Sequence, residues 1–428
     1  MRFSKLVCPR GAHSRSVVAT TPASPVPALP PRNRLLANAP AARSFSHYTH
    51  LLDGSGAPSA VQDPPPPPVS AKIPPVSTPA FTPRTSFDAP DVRKSYFLGH
   101  HRSALRNIES RLSDTGLVVE CRDIRLPLTS WNPMLERVLA NASHRVVVYT
   151  KCDLITQSPH NGNIQAMLGR FHASRPGSGK PIFLRKGTPP ATLLAALRDA
   201  AAHSESLTGL RAFVVGMPNV GKSSLINRLR TYGMGGGRPK VAATADYPGV
   251  TRSLSMPVRI LGGKDRPQDN VAGEGIFMVD TPGVFMPYVA DPETMLKLAL
   301  THGIRDGIVP YEIQADYLLY KMNQWDPTLY AHFCPPTNDA MQLLGAVATK
   351  TGRLSRAAPG HEHHAAAWLV GQWRAGKIAK YPLEDVTPDA IQAAIAENEN
   401  PAISLTQAKK LAKEAKKEAM AAKRKARG

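Results

Sequence analysis

The chain has 428 residues, of which 42% are hydrophobic, and its formal net charge at pH 7 is +21. This length allows two domains plus tails at roughly 150 residues per domain, and the charge favours polyanionic partners such as nucleic acid or an acidic membrane surface. The sequence has no uninterrupted apolar run long enough to cross a bilayer, so a membrane-spanning helix is not expected. The four cysteines lie far apart and form no C-x-x-C pair, which argues against a disulfide framework.

The N-terminal segment differs in composition from the rest of the chain. Residues 1–52 are rich in arginine and serine, and the first acidic residue is Asp53. This composition is typical of a mitochondrial or plastid transit peptide, and a disordered basic tail is the alternative. Residues 53–92 include consecutive prolines at 64–68. They are predicted to be a disordered linker, because a polyproline segment cannot pack a core.

Between residues 93 and 292, short apolar runs alternate with helical patterns. The predicted strands are 117–119, 145–149, 182–184, 212–215 and 276–279, and the predicted helices are 101–113, 131–140, 163–173, 190–203 and 222–231. This alternation is typical of an α/β domain with a parallel sheet. The stretches 232–248 and 261–275 are rich in glycine or polar residues and are predicted to be loops.

The pattern beyond residue 292 is mainly helical. Predicted helices cover 292–304, 310–322, 337–349, 364–375 and 388–396, and we expect an α-helical domain over residues 293–400. Residues 401–428 form a basic, Ala/Lys-rich tail. A solvated, partly helical end and an RNA contact are equally good interpretations of that tail.

The strongest motif is G-M-P-N-V-G-K-S at residues 216–223, which matches G-x-x-x-x-G-K-[ST] between an apolar strand and a helix. In such a loop the backbone N–H groups surround phosphate oxygens and Lys222 brings a positive charge to the β- and γ-phosphates. The Ser223 hydroxyl is a ligand for Mg²⁺. The predicted nucleotide contacts in this loop are Gly216, Pro218, Asn219, Val220, Gly221, Lys222, Ser223 and Ser224. An ordinary glycine-rich turn is the alternative.

Two further segments add candidates for catalysis. D-T-P-G at residues 280–283 follows an apolar strand, so that Asp280 is predicted to bind Mg²⁺ and the Gly283 N–H to contact the γ-phosphate. Thr251, in P-G-V-T, lies between this motif and the phosphate loop and is a candidate for both Mg²⁺ and the γ-phosphate, although a lone threonine is a weak signal. The candidate catalytic residues are Lys222, Thr251 and Gly283, and the candidate Mg²⁺ ligands are Ser223, Thr251 and Asp280.

A base-recognition motif precedes the phosphate loop. T-K-C-D at residues 150–153 follows the strand R-V-V-V-Y and resembles the N-K-x-D of guanine-binding proteins. The Asp153 carboxylate can accept hydrogen bonds from N1–H and the 2-amino group of guanine, and the stem of Lys151 can cover the base. Thr150 replaces the usual asparagine, and we expect it to lose the tie between this loop and the phosphate loop. Alone the motif is weak, and an exposed charged loop is the alternative.

The three motifs follow three predicted strands at their C-terminal ends. In an open parallel sheet these ends share one edge, and ligands bind along that edge. One nucleotide can therefore meet all three motifs.

On these residues the chain resembles the YlqF-type family of circularly permuted GTPases, in which the base motif precedes the phosphate loop. Further matches include F-L-G-H-H from residue 97, E-C-R-D-I-R-L-P-L from residue 120, N-P at residues 132–133, and the P-G-V-T and D-T-P-G segments; together they cover most of residues 97–307. The resemblance implies a P-loop GTPase fold with permuted motifs and a C-terminal helical continuation. No clear S-A-x base-loop motif is found near residues 184–187.

The resemblance also implies how hydrolysis proceeds. Val284 follows Gly283, where many small GTPases place a water-orienting glutamine, so intrinsic hydrolysis should be slow until a partner or an ion completes the site. In related GTPases an asparagine of the phosphate loop binds K⁺, and Asn219 matches that position. A turn-forming role for Asn219 is an equal alternative. The expected cofactors are GTP or GDP and Mg²⁺, with K⁺ as a further candidate.

Members of this family assist assembly of the large ribosomal subunit. With its transit-like N-terminus, the chain most resembles the mitochondrial ribosome-associated branch, which implies action in the matrix, peripheral to the inner membrane, on rRNA and ribosomal proteins. A GTP-dependent switch at the inner membrane with a protein or lipid partner is the first alternative. An ATP-using P-loop enzyme, suggested by Thr150 in the base motif, is the second.

Overall fold

The computed structural model describes residues 81–91, 99–140, 142, 144–175, 180–203, 206, 208–235, 242, 254–262, 275–286, 288–352, 361–402, 408–410 and 413–414. The described residues all belong to one compact unit, Ser77–Gly428. The predicted transit segment 1–52, most of the predicted linker and most of the basic tail lie outside the described residues. Those predictions are therefore not tested.

A six-stranded sheet forms the centre of the molecule. Its strands are β1 Leu117–Asp123, β2 Arg145–Thr150, β3 Ile182–Phe183, β4 Leu210–Gly216, β5 Val258–Leu261 and β6 Ile276–Asp280. They lie in the order β3-β2-β1-β4-β6-β5. All neighbours are parallel except β5, which pairs antiparallel with β6. The five predicted strands are present, and β5 is an addition, since four residues are too few to show a clear period.

Helices cover both faces of this sheet. They are α1 Gly99–Glu109, α2 Pro133–Leu139, α3 Asn161–Ala173, α4 Ala191–Ala202 and α5 Lys222–Gly233. Alternate residues of the central strands face opposite helices: Val118 packs with α1 and α2, whereas Val119 packs with α4 and α5. Burial on both faces explains why the strands are nearly continuous apolar runs in the sequence.

The C-terminal part is helical, as predicted. It contains α6 Pro292–Leu300, α7 Tyr311–Trp325, α8 Ala340–Thr351, α9 His361–Arg374 and α10 Pro388–Glu399. Helices α6 and α10 begin alike: Asp291 and Thr387 cap the first turn with their side chains, and a proline follows each cap. One continuous apolar core joins the sheet to helices α6–α9, so the predicted domain boundary at residue 293 stays a prediction.

Residues 81–91, assigned above to the disordered linker, instead pack against α7. The Arg84 guanidinium donates to Asp316 Oδ1 at 2.6 Å, and the Phe87 ring lies edge-on to Tyr317 with centroids 5.2 Å apart. Arg84 and Phe87 thus anchor this segment on α7 through a charged and an apolar contact, which the prolines at 64–68 cannot make. Of the helices that the structure describes, none combines the length and the apolar character needed to cross a membrane.

Candidate nucleotide site

The predicted convergence of the three motifs is present in the fold. Strands β2, β1, β4 and β6 are adjacent and parallel, so their C-terminal ends share one edge of the sheet. The base motif follows β2, the phosphate loop follows β4, and D-T-P-G begins at the end of β6. The phosphate loop therefore lies in the middle of this edge, with the base motif on one side and D-T-P-G on the other.

The phosphate loop turns sharply between β4 and α5. Gly216, Asn219 and Gly221 have φ angles of 144°, 55° and 92°, which glycine and asparagine tolerate best. A Cβ on Gly216 would lie 2.3 Å from the Cys121 carbonyl oxygen of β1, so only glycine fits there. The left-handed backbone of Asn219 supports its interpretation as a turn former, and its role toward K⁺ stays a prediction.

Lys222 is the first residue of α5, and its ammonium group points back into the loop. Nζ donates to the Met217 carbonyl oxygen at 2.8 Å and to that of Gly216 at 3.4 Å, and the residue is only 7% exposed. Burial lowers the pKa of Lys222, while the nearby Asp280 carboxylate opposes that shift. The end of the Lys222 side chain is thus buried inside the loop that would surround the phosphates. Ser224, in the same first turn of α5, is exposed.

The two described candidate Mg²⁺ ligands are in contact. Ser223 Oγ donates to Asp280 Oδ2 at 2.5 Å, and Asp280 is buried. A hydroxyl and a carboxylate are the hard oxygen donors that Mg²⁺ prefers, so this pair fits the ion. Among the described residues, no three His, Cys, Asp or Glu side chains gather around a possible metal. Phosphate oxygens and water would therefore supply the other ligands.

Gly283 packs directly against the phosphate loop. A Cβ on Gly283 would lie 2.7 Å from the Pro218 backbone, so no side chain fits. The next residue, Val284, donates its N–H to the Gly216 carbonyl oxygen at 3.2 Å. These contacts hold D-T-P-G at the phosphate loop, as its predicted role requires. Thr251, together with P-G-V, lies outside the described residues, and its predicted catalytic and metal-binding roles stay predictions.

Two polar side chains, His101 and Asn132, also contact the D-T-P-G segment and the residue after it. Neither contact was predicted from the sequence. His101 Nδ1 lies 2.9 Å from the Gly283 carbonyl oxygen, and Asn132 Nδ2 donates to the Val284 carbonyl oxygen at 2.8 Å. Both residues are buried. His101 and Asn132 belong to the F-L-G-H-H and N-P segments that match the family. The sequence therefore marked these two segments, but it did not show that their side chains contact D-T-P-G.

The expectation that Thr150 loses the tie to the phosphate loop is wrong. Its Oγ1 donates to the Val220 carbonyl oxygen at 2.6 Å. Lys151 adds a second tie, because its Nζ donates to the Asn219 carbonyl oxygen at 2.7 Å. A threonine hydroxyl thus makes a connection between the base motif and the phosphate loop without an asparagine carboxamide. The lower guanine affinity that the missing asparagine could cause stays a prediction.

Asp153 lies at the same edge, in a short 3₁₀ turn after β2. Its Oδ1 accepts a hydrogen bond from the backbone N–H of Lys186 at 2.8 Å. Lys186 belongs to the loop after β3, in the stretch where no S-A-x motif is found. A backbone N–H makes this contact to Asp153, so the contact does not depend on the side chain at position 186.

Asp123 is a further buried acid beside the base motif. It is the last residue of β1, and it accepts hydrogen bonds from Arg125 Nη2 at 2.7 Å and from Lys151 Nζ at 2.9 Å. Burial opposes its ionisation, but the two cations outweigh this effect and hold the pKa of Asp123 well below its usual value. The carboxylate is therefore ionised at neutral pH.

The chain is similar to several known proteins. Residues 211–326 match the family profile described as 50S ribosome-binding GTPase. Mitochondrial GTPase 1 of Schizosaccharomyces japonicus is 32% identical over 329 residues, which are 72% of this chain and 94% of that protein. Mitochondrial ribosome-associated GTPase 1 of Xenopus tropicalis is 32% identical over 287 residues, covering 64% of this chain and 85% of that protein. GNP-bound YlqF from T. maritima superposes with a TM-score of 0.42 at 20% identity, covering 66% and 97% of the two chains.

A phosphate loop and a D-T-P-G motif on neighbouring parallel strands, with the base motif earlier in the chain, define a circularly permuted P-loop GTPase. The profile match begins in β4 and excludes the base motif, as this motif order requires. The extent of the match to the S. japonicus protein identifies the branch. The chain belongs to the YlqF-type circularly permuted GTPases, in the mitochondrial GTPase 1 branch.

Proposed function

We propose that this chain binds GTP at the shared strand edge, hydrolyses it to GDP and phosphate, and thereby assists assembly of the mitochondrial large ribosomal subunit. The observation that carries the proposal is that the base motif, the phosphate loop and D-T-P-G lie together at one edge of the sheet. Asp153 would read the guanine edge, and Lys222 would exchange its carbonyl partners for phosphate oxygens. Ser223 and Asp280 would hold Mg²⁺, which neutralises charge on the phosphates when bound.

Hydrolysis by this chain alone should be slow. Val284, the residue after Gly283, is apolar and fully buried, so it cannot orient a water molecule as a glutamine does. The Gly283 N–H and Lys222 would still stabilise charge that develops on the γ-phosphate. A partner would complete the site. Two further candidates for this role are Thr251 of the chain itself and a K⁺ ion held by Asn219.

Four observations support a ribosomal partner in mitochondria. The matching profile is described as ribosome-binding, and the similar proteins are named as mitochondrial and, in part, as ribosome-associated. The net charge of +21 suits rRNA. The acid-free N-terminus suits import into the matrix. A peripheral position at the inner membrane is part of the proposal, because the same charge also favours anionic lipid surfaces.

The test is co-sedimentation of the purified protein with mitochondrial large ribosomal subunits. Binding should be strong with a non-hydrolysable GTP analogue and weaker with GDP, and it should fall steeply as salt rises. Vesicles containing anionic lipid form a parallel arm. Nucleotide-dependent binding to vesicles but not to subunits would favour the inner-membrane switch over the ribosomal role. Competition between GTP and ATP for the free protein addresses the ATP-using alternative.

A further inference from the structure

The buried acid at the end of β1 has a geometry that the proposed function does not use. Asp123 pairs in register with Thr150 of the base motif across the β1–β2 ladder. Since β1 also neighbours β4, its C-terminal end lies between the base motif and the phosphate loop. An acidic side chain at this position can reach groups on both sides.

Lys151 shows what that acid does. The residue has a left-handed backbone, with φ at 60° and ψ at 27°, and its side chain is 24% exposed. A lysine at such a position can extend its ammonium group into water. Here the ammonium points inward, held by Asp123 Oδ2 at 2.9 Å and by the Asn219 carbonyl oxygen at 2.7 Å. Two contacts, one at the end of β1 and one in the phosphate loop, fix the end of this long side chain.

Arg125 keeps the acid in place from the opposite side. Asp123 Oδ1 accepts from the Arg125 backbone N–H at 3.0 Å and from its Nε at 3.1 Å, and Oδ2 accepts from Nη2 at 2.7 Å. Arg125 itself is anchored on the C-terminal helical part, since its guanidinium lies over the Trp373 ring at 5.2 Å. Its carbonyl oxygen also accepts from the Leu383 N–H at 3.0 Å. The carboxylate therefore cannot rotate away from Lys151.

The contacts of Asp123 with Arg125 and with Lys151 have separate roles. Arg125 gives Asp123 three hydrogen bonds and the paired cation that a buried carboxylate needs. Lys151 in turn is held by its ion pair with Asp123 at 2.9 Å. We propose that Asp123 is a positioning residue for guanine recognition, which holds Lys151 against the phosphate loop so that its stem is fixed before the base arrives. This inference rests on the proposed guanine-nucleotide function.

The test is a double-mutant cycle on nucleotide affinity. Asp123→Asn keeps the shape of the side chain and removes its charge, and Lys151→Met keeps an apolar stem and removes the ammonium. We expect Asp123→Asn to weaken GDP binding about tenfold in the wild-type background and to have little effect in the Lys151→Met background. Affinity for ADP should change little in either background, because adenine gains nothing from this arrangement. Equal losses in both backgrounds, or no loss in either, would overturn the inference.

Matched controls separate positioning from stability. Glu136→Gln removes another partly buried acid, which pairs with Arg145 at 2.6 Å away from the base motif, and it should lower the unfolding temperature without changing GDP affinity. If Asp123→Asn does not fold, Asp123→Glu is the second variant, because it keeps the charge and displaces it by one methylene. Below its unfolding temperature it should bind GDP more weakly than the wild type, and unchanged binding would count against the inference. Wild-type preference for GDP over ADP is measured first. Its absence would refute the proposed function, whereas its presence with an additive cycle would refute only this inference.

Discussion

The base side and the phosphate side of the nucleotide site are organised differently. On the base side, Thr150 and Lys151 bond to carbonyl oxygens of the phosphate loop. These bonds can persist in the nucleotide complex because, under the proposed function, Asp153 would read the base. On the phosphate side, Lys222 bonds to the loop itself and Ser223 bonds to Asp280. Under the proposed function, those groups would bond phosphate oxygens and Mg²⁺. Binding should therefore leave the bonds of Thr150 and Lys151 unchanged and exchange partners on the phosphate side.

This difference assigns the two sides different energetic roles. Bonds on the base side form during folding, so guanine would meet an arrangement that is already in place. On the phosphate side, Lys222 would exchange neutral carbonyl oxygens for charged phosphate oxygens, and such charge-assisted hydrogen bonds are roughly twice as strong as neutral ones. Substitutions on the phosphate side should therefore change affinity most, and those on the base side should change it moderately.

Lys222→Ala should give the largest effect. It removes a buried cation that would bond phosphate oxygens, and a hydrogen bond to a charged group contributes about 1.5–3 kcal/mol. GTP affinity should fall about a hundredfold when both β- and γ-phosphate contacts are lost, and single-turnover hydrolysis should become undetectable. Fluorescent-nucleotide titration and phosphate release measure the two quantities.

Lys350→Ala is the matched control for this loss of charge, because Lys350 is exposed in the last turn of α8. It should leave both quantities at wild-type values. If Lys222→Ala retained GTP affinity within threefold, the claim that substitutions on the phosphate side change affinity most would be wrong.

Asp280→Asn should give an intermediate effect that depends on Mg²⁺. The carboxylate and Ser223 are the described oxygen donors for the ion, and an amide is a much weaker ligand. In millimolar Mg²⁺, GTP affinity should fall about tenfold to hundredfold, and in EDTA the variant and the wild type should bind alike. Isothermal titration under both conditions measures this difference.

Asp291→Asn provides the control, because Asp291 caps α6 with its side chain and asparagine is an equally good cap. A loss of affinity for Asp280→Asn that is as large in EDTA as in Mg²⁺ would show that Asp280 acts by stabilising the loop rather than by holding the ion.

Much of the sheet and of the phosphate side could be predicted from the sequence. The five strands appear as apolar runs, and the phosphate loop and D-T-P-G combine residue types whose chemistry is local. Their convergence follows from parallel strands sharing one edge. Strand β5 was not predicted because its four residues show no period. The packing of residues 81–91 was not predicted because it depends on two side chains, Arg84 and Phe87, that contact α7 despite the Pro-rich surroundings.

The base side could be predicted less well. Thr150 replaces the usual asparagine of the base motif. From the residue type alone, we expect the contact between this motif and the phosphate loop to be lost. Its hydroxyl nevertheless reaches Val220, because the β2 end and the phosphate loop lie close enough for a short side chain. The contacts of Asp123, His101 and Asn132 likewise join segments far apart in the chain. Such contacts depend on distances set by the whole fold, which local patterns do not contain.

Thr150→Val should give the smallest effect of the three. Valine keeps the branched shape and removes the hydroxyl, which leaves the buried Val220 carbonyl oxygen without this hydrogen bond. An unsatisfied buried group costs about 1–3 kcal/mol. Part of that loss appears in folding and the rest in binding, so we expect a lower unfolding temperature and GDP affinity reduced about threefold to tenfold. Thermal unfolding and GDP titration measure the two parts.

Thr150→Ser is the matched control, because serine retains the hydroxyl and loses only a methyl group. It should bind GDP within about twofold of the wild type. Thr150→Asn restores the common motif and should behave similarly if the carboxamide reaches the same carbonyl oxygen. A hundredfold loss for Thr150→Val would mean that the base side, too, contributes its bonds during binding rather than during folding, and the distinction between the two sides would no longer hold.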